Sequence, residues 1–352
     1  MRHRAGDWVR VRSKEEILRT LDENGRLEGL PFMPQMFAYC GQKFQVYKRA
    51  HKTCDTVSGN YVGRLLPGGV HLDLRCDGKA FDGCQAGCLL FWKEAWLEPL
   101  DKAKDPLRAG DRPGQPTGCT EDDVCRATRK AVGEETRYVC QATELLTYTE
   151  PLKWWDARQY VEDYRSGNTP LQRMVHGFAY ATLYYGSLAH RYRLGRPARW
   201  LYERARRLWR GRPMPRAKGK IALGAPTPIE NLGLRPGELV RVKSFEEILT
   251  TVDEQNHNRG LFFDAEMVPY CGGTYRVRSR VENFVDEKTG KMRKMKTPAV
   301  ILENVFCRGC YSDQRMFCPR CIYSWWREIW LERVSENQSP PPHRRVMSNG
   351  TP

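Results

Sequence analysis

The clearest pattern in the chain is a short alternation that occurs twice. Val9 and Val11 alternate with Arg10 and Arg12, and Val240 and Val242 alternate with Arg241 and Lys243. Period two of this kind predicts a half-buried strand. Each alternation runs into a serine, Ser13 or Ser244, with Glu16 or Glu247 three residues later. That is the capping-box spacing of a helix start. Phe44 to Lys48 and Tyr275 to Arg280 return to alternation, and Asp286 to Lys291 reads as a hairpin turn. Both stretches close on an aromatic run, Phe91 to Glu98 and Trp325 to Glu332, whose tryptophans stand four apart. This spacing predicts a helix in each copy.

These agreements belong to one register. At a constant offset of 231, Gly6 to Ser13 falls on Gly237 to Ser244, Glu15 to Leu18 on Glu246 to Leu249, and Tyr39-Cys40-Gly41 on Tyr270-Cys271-Gly272. Cys76 lands on Cys307 in the same register. The chain therefore reads as an internal duplication. The expected fold is α+β, with two duplicated, zinc-stabilised, β-rich modules flanking a helical insert. The boundaries are residues 1–100 for the first Cys-rich module, 101–150 for a Cys-containing connector and 151–212 for a basic helical insert. Residues 213–234 form a linker, 235–334 the second module, and 335–352, with Pro340 to Pro342, a disordered tail.

Glycine followed by a Val-Arg-Val strand resembles the opening of small SH3-like barrels. The pairing of Tyr-Cys-Gly with Trp-Arg-Glu-Ile-Trp-Leu-Glu resembles uncharacterised bacterial proteins with a duplicated Cys-rich module. That second resemblance implies no activity.

Thirteen cysteines change the picture. Met1 to Asp7 lacks the apolar run of a secretory signal, and no window of about 18 residues is apolar enough to span a bilayer. Both features point to a reducing cytoplasm, where cysteines at regular spacing read as metal ligands. Cys307-x2-Cys310 and Cys318-x2-Cys321 have the spacing of a zinc ribbon. The first module has Cys76, Cys84 and Cys88, with Lys79 where the second has Cys310, and Cys54 is the expected fourth ligand. Two structural Zn2+ sites follow, and an iron–sulfur cluster, which also uses four thiolates, is the lesser alternative. Four protein ligands leave no open position, so such metals serve the fold.

Cys119, Cys125 and Cys140 form a third group, whose open fourth position makes it the candidate for metal or thiol chemistry. Cys40 and Cys271 read as small core residues before a tight turn, or else as reactive thiols. The charge of +16 is local, with twelve Lys or Arg against Glu203 between Arg191 and Lys220. There Trp200, Leu201, Leu208 and Trp209 share one helical face, and Arg199, Arg206, Arg207 and Arg210 take the other. A basic amphipathic helix suits nucleic acid, an acidic protein surface or anionic lipid. No phosphate loop, zinc-protease helix or nucleophile elbow occurs. The expected function is a zinc-binding, non-enzymatic binding or scaffold protein. The alternative is an enzyme using Cys119, Cys125 and Cys140 or the Tyr-Cys-Gly cysteines.

Overall fold

The computed structural model describes residues 3–60, 62–100, 118–193 and 216–334. The basic segment carrying Arg199, Arg206, Arg207 and Arg210, and the tail from Ser335, lie outside these residues.

In the first region, β1 (Trp8–Val11) leads into α1 (Lys14–Leu18). Ser13 accepts the Glu16 N–H while the Glu16 carboxylate accepts the Ser13 N–H, completing the capping box. A small hairpin, β2 (Arg26–Leu27) and β3 (Leu30–Pro31), and a 3-10 turn over Pro34–Tyr39 follow. Five short strands come next: β4 (Lys43–Gln45), β5 (Lys48–Arg49), β6 (Lys52–Cys54), β7 (Gly63–Leu65) and β8 (Gly69–His71). The region closes with β9 (Trp92–Lys93), a 3-10 turn over Glu94–Trp96, and β10 (Leu97–Pro99). β1 pairs antiparallel with β4 and β10, while β8 joins β5 to β9.

The described part of the connector packs onto this core rather than away from it. It contains α2 (Glu121–Arg126) and the hairpin β11 (Arg129–Val132) with β12 (Glu135–Tyr138). Val124, Tyr138, Leu145 and Tyr148 are buried with Val9, Ile17, Phe32, Trp92 and Trp96. β13 (Glu150–Leu152) then pairs with β7, and α3 (Arg158–Arg165) and α4 (Leu171–Arg193) follow. α4 falls where the aromatic spacing of residues 171–194 predicts a helix.

The second region repeats the order: β14 (Leu239–Val242), α5 (Phe245–Leu249) capped by Ser244 and Glu247, β15 (His257–Asn258), β16 (Leu261–Phe262) and a 3-10 turn over Ala265–Tyr270. Here the next strands are unbroken, β17 (Thr274–Val285) and β18 (Met292–Phe306), joined at the expected Asp286–Lys291 turn. β19 (Tyr323–Trp326), a 3-10 turn over Glu328–Trp330 and β20 (Leu331–Arg333) complete one sheet in the order β19-β18-β17-β14-β20.

The closing aromatic runs differ from expectation. Each forms strand, 3-10 turn, strand, with no α-helix. The turn brings both tryptophans onto one phenylalanine: Phe32 meets Trp92 and Trp96 at 6.2 and 5.1 Å, and Phe263 meets Trp326 and Trp330 at 6.1 and 5.2 Å. Edge-on packing of this kind favours the ring quadrupoles. A four-residue aromatic spacing is thus satisfied without helical backbone.

Candidate metal centre

The first sulfur group is built on a turn. An isolated bridge pairs Arg75 with Leu89, and the Cys76 N–H donates to the Cys88 carbonyl at 2.8 Å. Between them the chain reverses through Gly78 (φ +72°) and a 3-10 turn over Lys79–Phe81. A Cβ at Gly78 would lie 1.9 Å from the Cys84 carbonyl oxygen, so only glycine fits this approach. Phe81 is buried and anchors the turn. The Gln35 side-chain amide donates to the Cys76 sulfur at 3.2 Å, and the Val285 N–H from β17 donates to the Cys84 sulfur at 3.3 Å.

The second group mirrors the closure. The Cys307 N–H donates to the Ile322 carbonyl at 2.8 Å. Of the four knuckle cysteines, Cys307 and Cys318 gather with Cys54 of the first region. The Cys318 thiol hydrogen-bonds Cys54, and with the nearby Arg320 and Arg315 this brings the Cys54 thiol down to about 6. Cys54 in turn acts on both Cys318 and Cys307. Cys310 faces Glu266, whose charge adds to burial in lifting its thiol to about 11. Cys321 lies 3.8 Å from the Tyr47 hydroxyl.

An ion pair with a buried arginine and a half-buried glutamate stands between the groups. One Arg320 nitrogen reaches both Glu287 carboxylate oxygens at 3.1 Å, and the other reaches Thr56 Oγ1 at 2.7 Å and the Cys54 carbonyl at 3.3 Å. Glu287 comes from the β17–β18 turn, so this pair fastens the two regions together. A cavity of about 420 Å³ opens beside it, lined in part by Thr56, Phe284, Glu287, Tyr323 and Trp325.

Among the described residues, no group of three or more His, Cys, Asp or Glu side chains is arranged to hold a metal ion. Cys119, Cys125 and Cys140 are therefore not a converging triad. Cys125 is exposed on α2, Cys119 is buried, and burial pushes both thiols up. Cys140 lies near the first sulfur group instead, where a charge on it would add to burial in raising Cys76 and Cys88, and burial raises Cys140 itself to about 11. Cys40 and Cys271 end matching 3-10 turns, donating to the Phe37 and Val268 carbonyls at 3.2 and 3.1 Å. Gly41 and Gly272 follow at φ +75° and +76°, which explains the Tyr-Cys-Gly sequence as a turn. Burial raises both thiols, Cys271 to about 12.

One buried cluster has no counterpart in the sequence reading. The Lys52 ammonium donates to Asp163 Oδ2 at 2.6 Å, the Met316 carbonyl at 2.7 Å and Gln159 Oε1 at 3.1 Å. It lies 4.9 Å from the Tyr160 ring centre, and His51 Nε2 is 3.4 Å from Asp163 Oδ1. β6, α3 and the second region's knuckle loop meet at this point. The i, i+4 spacing of Gln159 and Asp163 on α3 was the only sequence signal for it.

No family model, curated protein or solved structure matches the chain. Among the described residues no helix is long and apolar enough to cross a membrane.

Proposed function

We propose that this chain is a non-enzymatic binding or scaffold protein made of two copies of one small β-rich module, each stabilised by structural zinc. The observation that carries this reading is the matched knuckle closure. Cys76 N–H on the Cys88 carbonyl and Cys307 N–H on the Ile322 carbonyl close equivalent loops beneath partly or fully buried thiols. The strand order β19-β18-β17-β14-β20, with a 3-10 turn before the last strand, supports the SH3-like resemblance. All thirteen cysteines are free thiols, which suits a reducing, cytoplasmic setting.

The partner we favour is nucleic acid, met by Arg199, Arg206, Arg207 and Arg210. Exposed Trp154 and Trp155, with Lys153 placed 5.6 Å from the Trp155 ring centre, add a stacking surface at the start of the helical insert. Zinc content and thiol titration of the purified chain test the scaffold reading. Two zinc ions and five unreactive spare thiols are expected. A third metal, or one thiol reacting far faster than the rest at neutral pH, would instead favour the enzyme. Nucleic-acid binding should weaken steeply with salt, and absence of binding at low salt would remove that partner.

A further inference from the structure

Thr56 and Glu287 stand 231 residues apart, which is the offset of the repeat, and the Thr56 hydroxyl donates to Glu287 Oε2. Each of these residues therefore meets its own counterpart. Contact between equivalent residues arises on a two-fold axis, where a surface pairs with a copy of itself. We propose that the two regions pair as an isologous dimer within one chain, so that the partner each copy fits is a second copy of the same module. The inference rests on the two-copy reading above and adds how the copies meet.

A two-fold axis also requires contacts in reciprocal pairs. Cys54 and Val285 are equivalent at the same offset. Cys84 and Cys318 are equivalent as well, each lying four residues before the carbonyl that closes its knuckle, Cys88 or Ile322. The structure joins these four positions crosswise. The Cys54 thiol of the first region meets Cys318 of the second. The Val285 N–H of the second region meets the Cys84 sulfur of the first at 3.3 Å. Each hairpin tip thus reaches the opposite knuckle. Asp55 and Asp286, also equivalent, hold the two tips in the same shape, each accepting the N–H groups two and three residues on.

The surroundings of the axis are packed like an interior. Val285 is buried in the first region's core, with Met292 packed against it. The Gln85 side chain accepts the Glu282 and Asn283 N–H groups at 2.6 and 2.9 Å, and the Gln85 N–H donates to the Asn283 carbonyl at 3.0 Å. Arg75 donates to the Cys321 carbonyl at 3.0 Å and stacks 3.7 Å from the Tyr323 ring centre. Arg320 reaches Thr56 and Glu287 together. The symmetry is local: Lys52, equivalent to Asn283, meets α3 of the insert, whereas Asn283 meets Gln85.

The test uses the full chain with a protease site inserted between Gly211 and Arg212, outside the described residues, and cut after folding. The two fragments should stay together and sediment as one particle near the 40.8 kDa of the intact chain. Separation at micromolar concentration overturns the pairing, while the two-copy reading, which concerns the order of elements, survives it. The axis itself is tested by exchange. Thr56→Glu sets two carboxylates against each other and should raise the dissociation constant of the fragments by at least about tenfold. Thr56→Glu/Glu287→Thr exchanges the equivalent residues, with Arg320 in reach of both positions, and should bring the constant back to within about threefold of wild type. A Thr56→Glu chain that binds as tightly as wild type, or an exchange as weak as the single variant, overturns the axis.

Discussion

The first and second Cys-rich regions make the same bonds with different sulfurs, and the contrast separates what builds the fold from what has been added to it. Trp96 and Trp330 each donate an indole N–H to a threonine hydroxyl at 3.0 Å, Thr20 and Thr251. Glu94 takes the His3 N–H and pairs with Arg49 at 2.9 Å; Glu328 takes the Leu234 N–H and pairs with Arg280 at 2.6 Å. Asp55 and Asp286 each cap the turn that follows, accepting two backbone N–H groups. These bonds stay within one region each, although most of them join residues far apart in the chain. The cysteines behave otherwise. Cys54 meets Cys318 of the second region, while Cys140, from outside the matched stretch, lies near Cys76 and Cys88.

The largest expected effect tests the proposed zinc. Structural zinc contributes on the order of 10 kcal/mol to small domains, so chelation should lower the melting temperature sharply and release both regions to proteolysis. An unchanged melt in excess chelator would mean that hydrophobic packing alone holds the scaffold. The next effect distinguishes the two glutamates. Glu328 is only 4% exposed and holds three successive N–H groups, Leu232 to Leu234, besides Arg280. Breaking one partner of a buried pair costs about 3–5 kcal/mol, and Glu328→Gln should reach that range in urea unfolding. Glu94, half-buried with fewer partners, should cost clearly less on the same substitution. Equal costs would show that the shared bonds, not their burial, set the energy.

A third difference is one of pH. His71 is fully buried beside Phe91 and its Nδ1–H donates to the Leu90 carbonyl at 2.8 Å, where the second region has Leu302. Burial, above all, brings His71 down to about 3. It stays neutral when folded, whereas the unfolded histidine takes a proton near 6.5. Its contribution is therefore intact above 6.5 and is lost as pH falls toward 3, by about 1.4 kcal/mol per pH unit. Asp163, raised by burial to about 6, acts in the opposite sense between its ordinary value and 6. The readout is accordingly the difference between wild type and His71→Leu, whose stability should fall less steeply from pH 6.5 to 4.5. Parallel curves would mean that His71 is protonated in the folded chain.

What could be read from sequence was what depends on neighbours in the chain. The Val9/Val11 alternation, the Ser13 and Ser244 caps and the Asp286–Lys291 turn each follow from a few adjacent residues. The Trp92/Trp96 spacing misled because a 3-10 turn can aim two rings at Phe32 as well as a helix can. The sulfur groups were hidden for another reason. Placing Cys140 requires the bonds of Tyr138 to Asp82 and of Gln141 to Phe91, and placing Cys54 requires the second region to be docked. Lys52, His51 and Asp163 are unremarkable apart and form a centre only once α3 lies on β6. Long-range packing, rather than residue type, decides all three.

The smallest effect tests the likeness of the two regions most closely. Ser13 and Ser244 accept the N–H three residues on at 3.2 and 3.3 Å, and in each case the Glu side chain returns a bond to the serine N–H, at 2.9 and 2.8 Å. Both caps are exposed to solvent, so the environment adds little to either. Alanine at a capped serine costs about 1 kcal/mol, and Ser13→Ala and Ser244→Ala should match within the scatter of urea unfolding. Their sites touch no common partner, so the double variant should show the sum. A double variant losing well beyond that sum would mean the two helices are coupled through the docked regions. The repeat would then fold as one cooperative unit rather than as two similar ones.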